Sequence, residues 1–147
     1  MSQRTRCQGA IVKGSQVLLI QHREHASGRS YWLLPGGGLE DGESTQECVI
    51  REMREETGLE VKVERLLFDD PGYEGEVYER YHTYLCSIVS GTPKPGYEPE
   101  VEAAERYGIV EVAWFDLRDE TCWGEAARSG RWTYPTLIRL RRTLGFT

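Results

Sequence analysis

The chain has 147 residues, 39% hydrophobic and 29% charged, with a formal net charge of −6. That length suits one domain over residues 1–147 that buries a core without disulfide staples, and the composition excludes a disordered chain. No apolar run approaches the roughly 20 residues that span a bilayer, and the acidic balance argues against nucleic acid as a partner. An acidic protein acting on an acidic substrate has to recruit positive charge, and metal ions are the usual source. Cys7, Cys48, Cys86 and Cys122 are dispersed with no C-x-x-C pair, so they read as small thiols of a reducing compartment. No apolar segment follows the first charged residues, and the expected location is the cytoplasm. Gln8–Lys13 and Gln16–Arg23 are apolar runs joined across Gly14-Ser15, a hairpin signal. Tyr31–Leu34 is a short strand that ends at Pro35. The glycine run Gly36-Gly37-Gly38 and acidic turn residues up to Glu43 follow it. Ser44-Thr45-Gln46-Glu47 has the form of a capping box, so a helix starts there, and Gly58 ends it as a left-handed cap. Leu59–Phe68 and Val77–Val89 read as strands, and Gly91–Gly108, with three of the six prolines, as a long loop. Ile109–Phe115 is a further strand, and Asp116 is placed to cap a short irregular helix. Pro135 opens a final helix, Thr136–Leu144, that Gly145 stops. Strands with two or three intervening helices give an α/β fold, a mixed sheet covered on both faces.

The helix after Ser44 carries the chemistry. At roughly 100° per residue, Val49, Ile50, Met53 and Thr57 fall on the buried side, with Glu52, Glu55 and Glu56 together beside it. Arg51 and Arg54 lie on the remaining arc, and Arg51 is four residues from both Glu47 and Glu55. Carboxylates so close repel one another, and more so beside a core. A solvated acidic face accounts for many such helices. Such a cluster is tolerable where cations occupy it, and its oxygen ligands suit hard ions such as Mg²⁺ or Mn²⁺.

The surroundings decide between these readings. From Gly37 the pattern runs Gly, five residues, Glu43, seven residues, then Arg51-Glu52-Met53-Arg54-Glu55-Glu56-Thr57-Gly58-Leu59. This resembles the Nudix box, with every fixed position filled. Seven fixed residues at about 7% usage match by chance on the order of 10⁻⁸ per window. Trp32-Leu33-Leu34-Pro35-Gly36-Gly37 is similar to the lead-in of many Nudix proteins, and Val112-Ala113-Trp114-Phe115 to their late strand.

The resemblance implies a Nudix-type α/β/α sandwich and a hydrolase that cleaves a phosphoanhydride bond in a nucleoside diphosphate linked to another moiety. Such enzymes use Mg²⁺ or Mn²⁺. Carried over, Glu52, Glu55 and Glu56 are catalytic and metal-binding carboxylates, with Gly36 beside the metal. Glu43, Arg51 and Gly58 are structural residues of the box. Gly37 and Gly38 approach metal or phosphate through their backbone, and Arg23 and Arg29 are candidates for phosphate contact. The general base is Glu52 or a glutamate of the later loop (Glu98, Glu100, Glu102 or Glu105), among which Glu105 stands nearest the following strand. His22, His25 and His82 read as surface or structural residues. Tyr73, Tyr78, Tyr81 and Trp32 are candidates for base stacking, with core packing as the simpler role. Arg139, Arg141 and Arg142 read as a solvated helix face. The expected partner is a small nucleotide, with no membrane, and assembly is open between monomer and homodimer. Two other readings stand beside this one: a nucleotide-sensing module without turnover, and a pyrophosphohydrolase acting on RNA 5′ ends.

Overall fold

The computed structural model describes residues 4–96 and 107–146. Among the described residues, seven strands form one mixed sheet: β1 (Thr5–Lys13), β2 (Gln16–Glu24), β3 (Ser30–Leu33), β4 (Gly36–Gly38), β5 (Glu60–Pro71), β6 (Arg80–Ser90) and β7 (Tyr107–Asp116). The order is β3-β2-β1-β6-β5, with β4 paired to β1 and β7 paired to β2. β1 and β6 run parallel, and the other pairs are antiparallel. β1 and β2 pair only at their hairpin end, Val12 with Val17 and Lys13 with Gln16. Beyond that they diverge, so that β4 pairs β1 at Arg6, Cys7 and Gln8 while β3 and β7 flank β2.

Helix α1 (Thr45–Thr57) covers one face. The short α2 (Gly124–Arg128) and α3 (Thr133–Leu144) cover the other. Alternation along the central strands feeds both cores. Cys7, Ile11 and Leu18 pack with Val49 and Met53 of α1. Ala10, Val17 and Leu19 pack with Leu137 and Leu140 of α3. The expected sandwich is therefore present.

Several boundaries differ from the sequence reading. The glycine run is a strand, because its backbone pairs with β1 although it has no side chains to show alternation. The strand expected at Val77–Val89 begins at Arg80. Asp116 does not cap the irregular helix. Its carboxylate accepts from Ser15 Oγ and Arg118 N, both at 2.9 Å, and ties the β1–β2 turn to the end of β7. Asp119 caps the 3₁₀ turn Glu120–Cys122 in its place. The last helix starts at Thr133, two residues before Pro135, whose missing N–H costs nothing in a first turn. The glutamates of the long loop, Glu98 to Glu105, lie outside the described residues.

Both ends of α1 follow the sequence. Ser44 Oγ accepts from Glu47 N at 3.1 Å, and Glu47 Oε1 accepts from Ser44 N at 3.0 Å, a complete capping box. Gly58 closes the helix at φ 75°, where a side chain would be strained. Ser44→Ala should cost about 1 kcal/mol in urea unfolding, and Ser44→Asp, which caps as well, should restore it. Equal stability of Ser44→Ala and the parent would show that the cap does not anchor the helix.

Candidate functional site

α1 presents its carboxylates differently from the simple arc drawn on the sequence. Glu52 and Glu56 do not border the buried side. They are part of it, at 1% and 0% exposure, alongside Cys48, Val49, Met53 and Thr57, whereas Ile50 is only half-buried. Glutamate is almost never buried this fully without compensation, so the partners matter.

The partners come from two directions. Gly36 N donates to Glu56 Oε1 at 2.6 Å, a bond from the glycine strand to the helix. At Gly37 a Cβ would lie 2.7 Å from Glu52 Oε2, so only glycine lets this strand lie over that carboxylate. Glu52 Oε2 itself has no hydrogen-bond partner among the described residues. Arg51 supplies positive charge. Its Nε donates to Glu43 Oε2 at 2.7 Å, and its Nη1 donates to Glu52 Oε1 at 2.9 Å and Glu55 Oε2 at 3.1 Å. Its Nη2 donates to Glu43 Oε1 at 3.0 Å and Gly38 O at 3.2 Å, and Glu40 lies 3.7 Å away. One guanidinium thus joins loop, glycine strand and helix. Glu47, the other residue four positions from Arg51, is occupied in the capping box. Arg54 is not part of the cluster, because it pairs with Glu60.

The titration behaviour follows these contacts. Burial pushes the Glu52 carboxyl up to about 7, against the opposing charge of Arg51 and with some help from Glu55. The hydrogen bond from Arg51 holds Glu43 below its ordinary 4.5, and the same pairing raises Arg51.

A cation missing from the sequence reading also belongs here. Arg6 of β1 donates from Nη2 to Leu34 O at 3.0 Å and from Nε to Gln8 Oε1 at 3.2 Å. Burial disfavours its charge, yet Glu56, Tyr78, Glu52 and Tyr81 leave its pKa raised. The alternation of Arg6 and Gln8 with the core residues Cys7 and Ile11 was a signal of one polar strand face, but not of its partners. His22 is 7% exposed, and burial together with the charge of Arg6 pushes it down to about 4, so the ring is neutral at neutral pH. Arg23 and Arg29 are exposed on the β2–β3 hairpin, with Arg23 donating to Ser30 Oγ at 3.3 Å. They are not drawn into the carboxylate network. Gly58 sits at the far end of α1, and beyond it Lys94 N and Gly96 N donate to Thr57 O and Glu56 O, at 3.0 and 2.9 Å.

Among the described residues no three acidic, histidine or cysteine side chains converge on one point, since Arg51 stands between Glu52 and Glu55. The donor set still fits a hard divalent ion. It offers carboxylate oxygens, one of them buried and unpartnered, and a strand with no side chain in the way. Cavities of about 530 Å³ beside Arg128 and Tyr134 and of about 520 Å³ beside Ile88 and Trp114 are lined by none of these residues.

The NUDIX domain profile matches residues 3–134 of the chain. The putative nudix hydrolase 1 of Caenorhabditis elegans is 39% identical over 98 residues, 67% of this chain and 26% of that protein. An ADP-ribose pyrophosphatase of Methanocaldococcus jannaschii is 34% identical over 113 residues, 76% of this chain and 60% of that protein. The chain therefore spans about a quarter of the first relative's length and 60% of the second's. Among solved structures, a NUDIX hydrolase from Nitrosomonas europaea superposes with a TM-score of 0.72 at 21% identity, over 98% of this chain and 89% of that one, a likeness of fold.

The depressed Glu43 carboxyl has a consequence for stability. Its ionised form is favoured in the fold, so its contribution is complete above 4.5 and is lost as pH falls through the lower folded value. Glu43→Gln should therefore cost about 2 kcal/mol at neutral pH, with the gap to the parent closing under acid. Denaturation curves across pH check this, and a gap independent of pH would place the role of Glu43 elsewhere.

Proposed function

Because the chain belongs to the Nudix hydrolase family, we propose that it is a divalent-metal hydrolase that cleaves a phosphoanhydride bond in a nucleoside diphosphate joined to a second moiety. The observation that carries this reading is the burial of Glu52 and Glu56 beneath a strand of glycines, with a carboxylate oxygen of Glu52 left unpartnered. A merely solvated acidic face would not bury them. The M. jannaschii relative acts on ADP-ribose by its name, which makes ADP-ribose the first substrate to test.

Glu52, Glu55 and Glu56 would hold Mg²⁺ or Mn²⁺, with the Gly36 backbone alongside. Bound there, the ion supplies positive charge against the phosphoryl oxygens as negative charge develops. The remaining work falls to the chain. Glu56 is fixed by the Gly36 amide and cannot swing away from the strand. Glu52, buried and with Oε2 unpartnered among the described residues, is the candidate to deprotonate the attacking water. Arg51 and Glu43 hold the loop and helix in register. Glu105 remains the alternative base on the long loop. The intact box favours turnover over a sensing role, and the net charge of −6 favours a small nucleotide over RNA.

A hydrolysis screen over dNTPs, ADP-ribose, nucleotide sugars and dinucleoside polyphosphates tests the proposal. Activity should appear with Mg²⁺ or Mn²⁺ and vanish in chelator, and full turnover in excess chelator would sink it. Glu56→Gln should lower kcat roughly 10²-fold or more while the protein stays folded. Single-turnover kinetics should show the chemical step abolished in Glu52→Gln and slowed more mildly in Glu105→Gln. The reverse ranking would move the base to the loop.

Stability without the ion adds a second check. Between 4.5 and about 7 the folded Glu52 keeps a proton that the unfolded chain releases. Its contribution is therefore largest below 4.5, declines as pH rises across that window and is flat above it. Binding of an ion requires the ionised carboxylate, so the thermal stabilisation by Mg²⁺ should grow as pH rises through the same window. Stabilisation that is constant with pH would remove Glu52 from the ligand set.

A further inference from the structure

Arg6 lies on the face of β1 away from α1. It shares that face with Gln8 and Ala10, whereas Cys7 and Ile11 meet the helix. Its surroundings fix it there. Thr83, which is 1% exposed, accepts from Gln8 Nε2 at 2.9 Å, Gln8 in turn accepts from Arg6 Nε, and Arg6 Nη2 is tied to Leu34 O. Two residues further on, Gly36 N is bonded to Glu56. Arg6 and Glu56 thus hold the same Leu34–Gly36 segment, and β4 puts no side chain between them.

A strand arginine placed this way is costly unless its charge is balanced. The groups that favour its charge are Glu56 and Glu52, together with Tyr78 and Tyr81. His22, neutral beside it, adds no second positive charge. With a divalent ion held by the same carboxylates, their negative charge is already compensated and Arg6 is left short of an anion. Only two of the five N–H donors of a guanidinium are engaged in the bonds described above. Those that remain are matched by phosphoryl oxygens, which arginine binds better than any other side chain.

We propose that Arg6 is the phosphate-binding cation of this site, and that it links ion binding to anion binding, so that the diphosphate is held tightly only once the carboxylates carry their metal. The inference rests on the metal-hydrolase reading above. It assigns the phosphate contact to a residue outside the box, in place of Arg23 or Arg29. The linkage is reciprocal: a diphosphate strengthens the ion, and the ion strengthens the diphosphate.

The test is calorimetry without turnover, with Mg²⁺ alone and with methylenediphosphonate, a diphosphate that cannot be hydrolysed, after subtraction of their mutual binding in buffer. In the parent, saturating Mg²⁺ should tighten the diphosphonate about tenfold. Arg6→Gln should bind Mg²⁺ at least as well, since a repelling charge is gone, but lose that tightening, while Arg6→Lys should keep part of it. If Arg6→Gln fails to fold, Gln8→Glu serves instead. It is nearly isosteric, leaves the guanidinium in place and neutralises it, and it should weaken the diphosphonate in the same way. Arg6→Gln or Gln8→Glu binding the Mg²⁺-dependent diphosphonate like the parent overturns the assignment, as does equal loss in Arg23→Gln. Coupled binding in the parent with no hydrolysis of any nucleotide would remove the enzymatic reading and leave the role of Arg6 standing.

Discussion

Two carboxylates buried on one helix face set the terms for the rest of this structure. Glu52 and Glu56 are almost wholly withdrawn from water, and charges in that position must be balanced or given up. The fold balances them locally with Arg51, at longer range with Arg6, and with the amide of Gly36. It leaves Glu52 Oε2 without a partner. A design for stability alone would have placed apolar side chains here. What the arrangement retains is a set of buried carboxylate oxygens, the donors that the proposed divalent ion would need.

The scaffold around the carboxylates follows from that constraint. β1 and β2 part beyond their hairpin, which gives the glycine strand a place to pair with β1. Gly37 has to be glycine because Glu52 lies against it, and Gly36 because a Cβ there would meet Cys7 and Gln8 of β1. The helix has to start and stop where it does for both glutamates to reach that strand, and a capping box at Ser44 and a left-handed Gly58 fix both ends. Glu43 and Glu40 are on the loop just before the cap, so one guanidinium can span loop, strand and helix.

What the sequence revealed divides by the range of the interaction. Ser44, Glu47 and Gly58 act within a turn or so of themselves, and their roles could be read directly. The box spacing did the same for Arg51 and Glu43. The strand at Gly36–Gly38 was hidden because three glycines carry no alternation, and only pairing with β1 shows it. Periodicity put Glu52 and Glu56 at the margin of the core because glutamate is ordinarily excluded from it. Arg6 escaped notice because its partners, Leu34, Thr83 through Gln8, and Glu56, are brought to it by strand pairing across the chain. Arg23 and Arg29, chosen by type and by proximity to the hairpin, stand exposed on it.

Paramagnetic broadening by Mn²⁺ tests where the proposed ion sits without any assumption about substrate. Substoichiometric Mn²⁺ added to isotopically labelled protein should broaden the backbone amide signals of Gly36, Gly37 and Gly38 and of α1 around Glu52 to Glu56 first. Added Mg²⁺ should restore them, and Glu56→Gln should require more Mn²⁺ for the same effect. Broadening that begins instead at the acidic turn around Asp116 and Asp119, or that spreads evenly over the acidic surface, would contradict a metal site beneath the glycine strand.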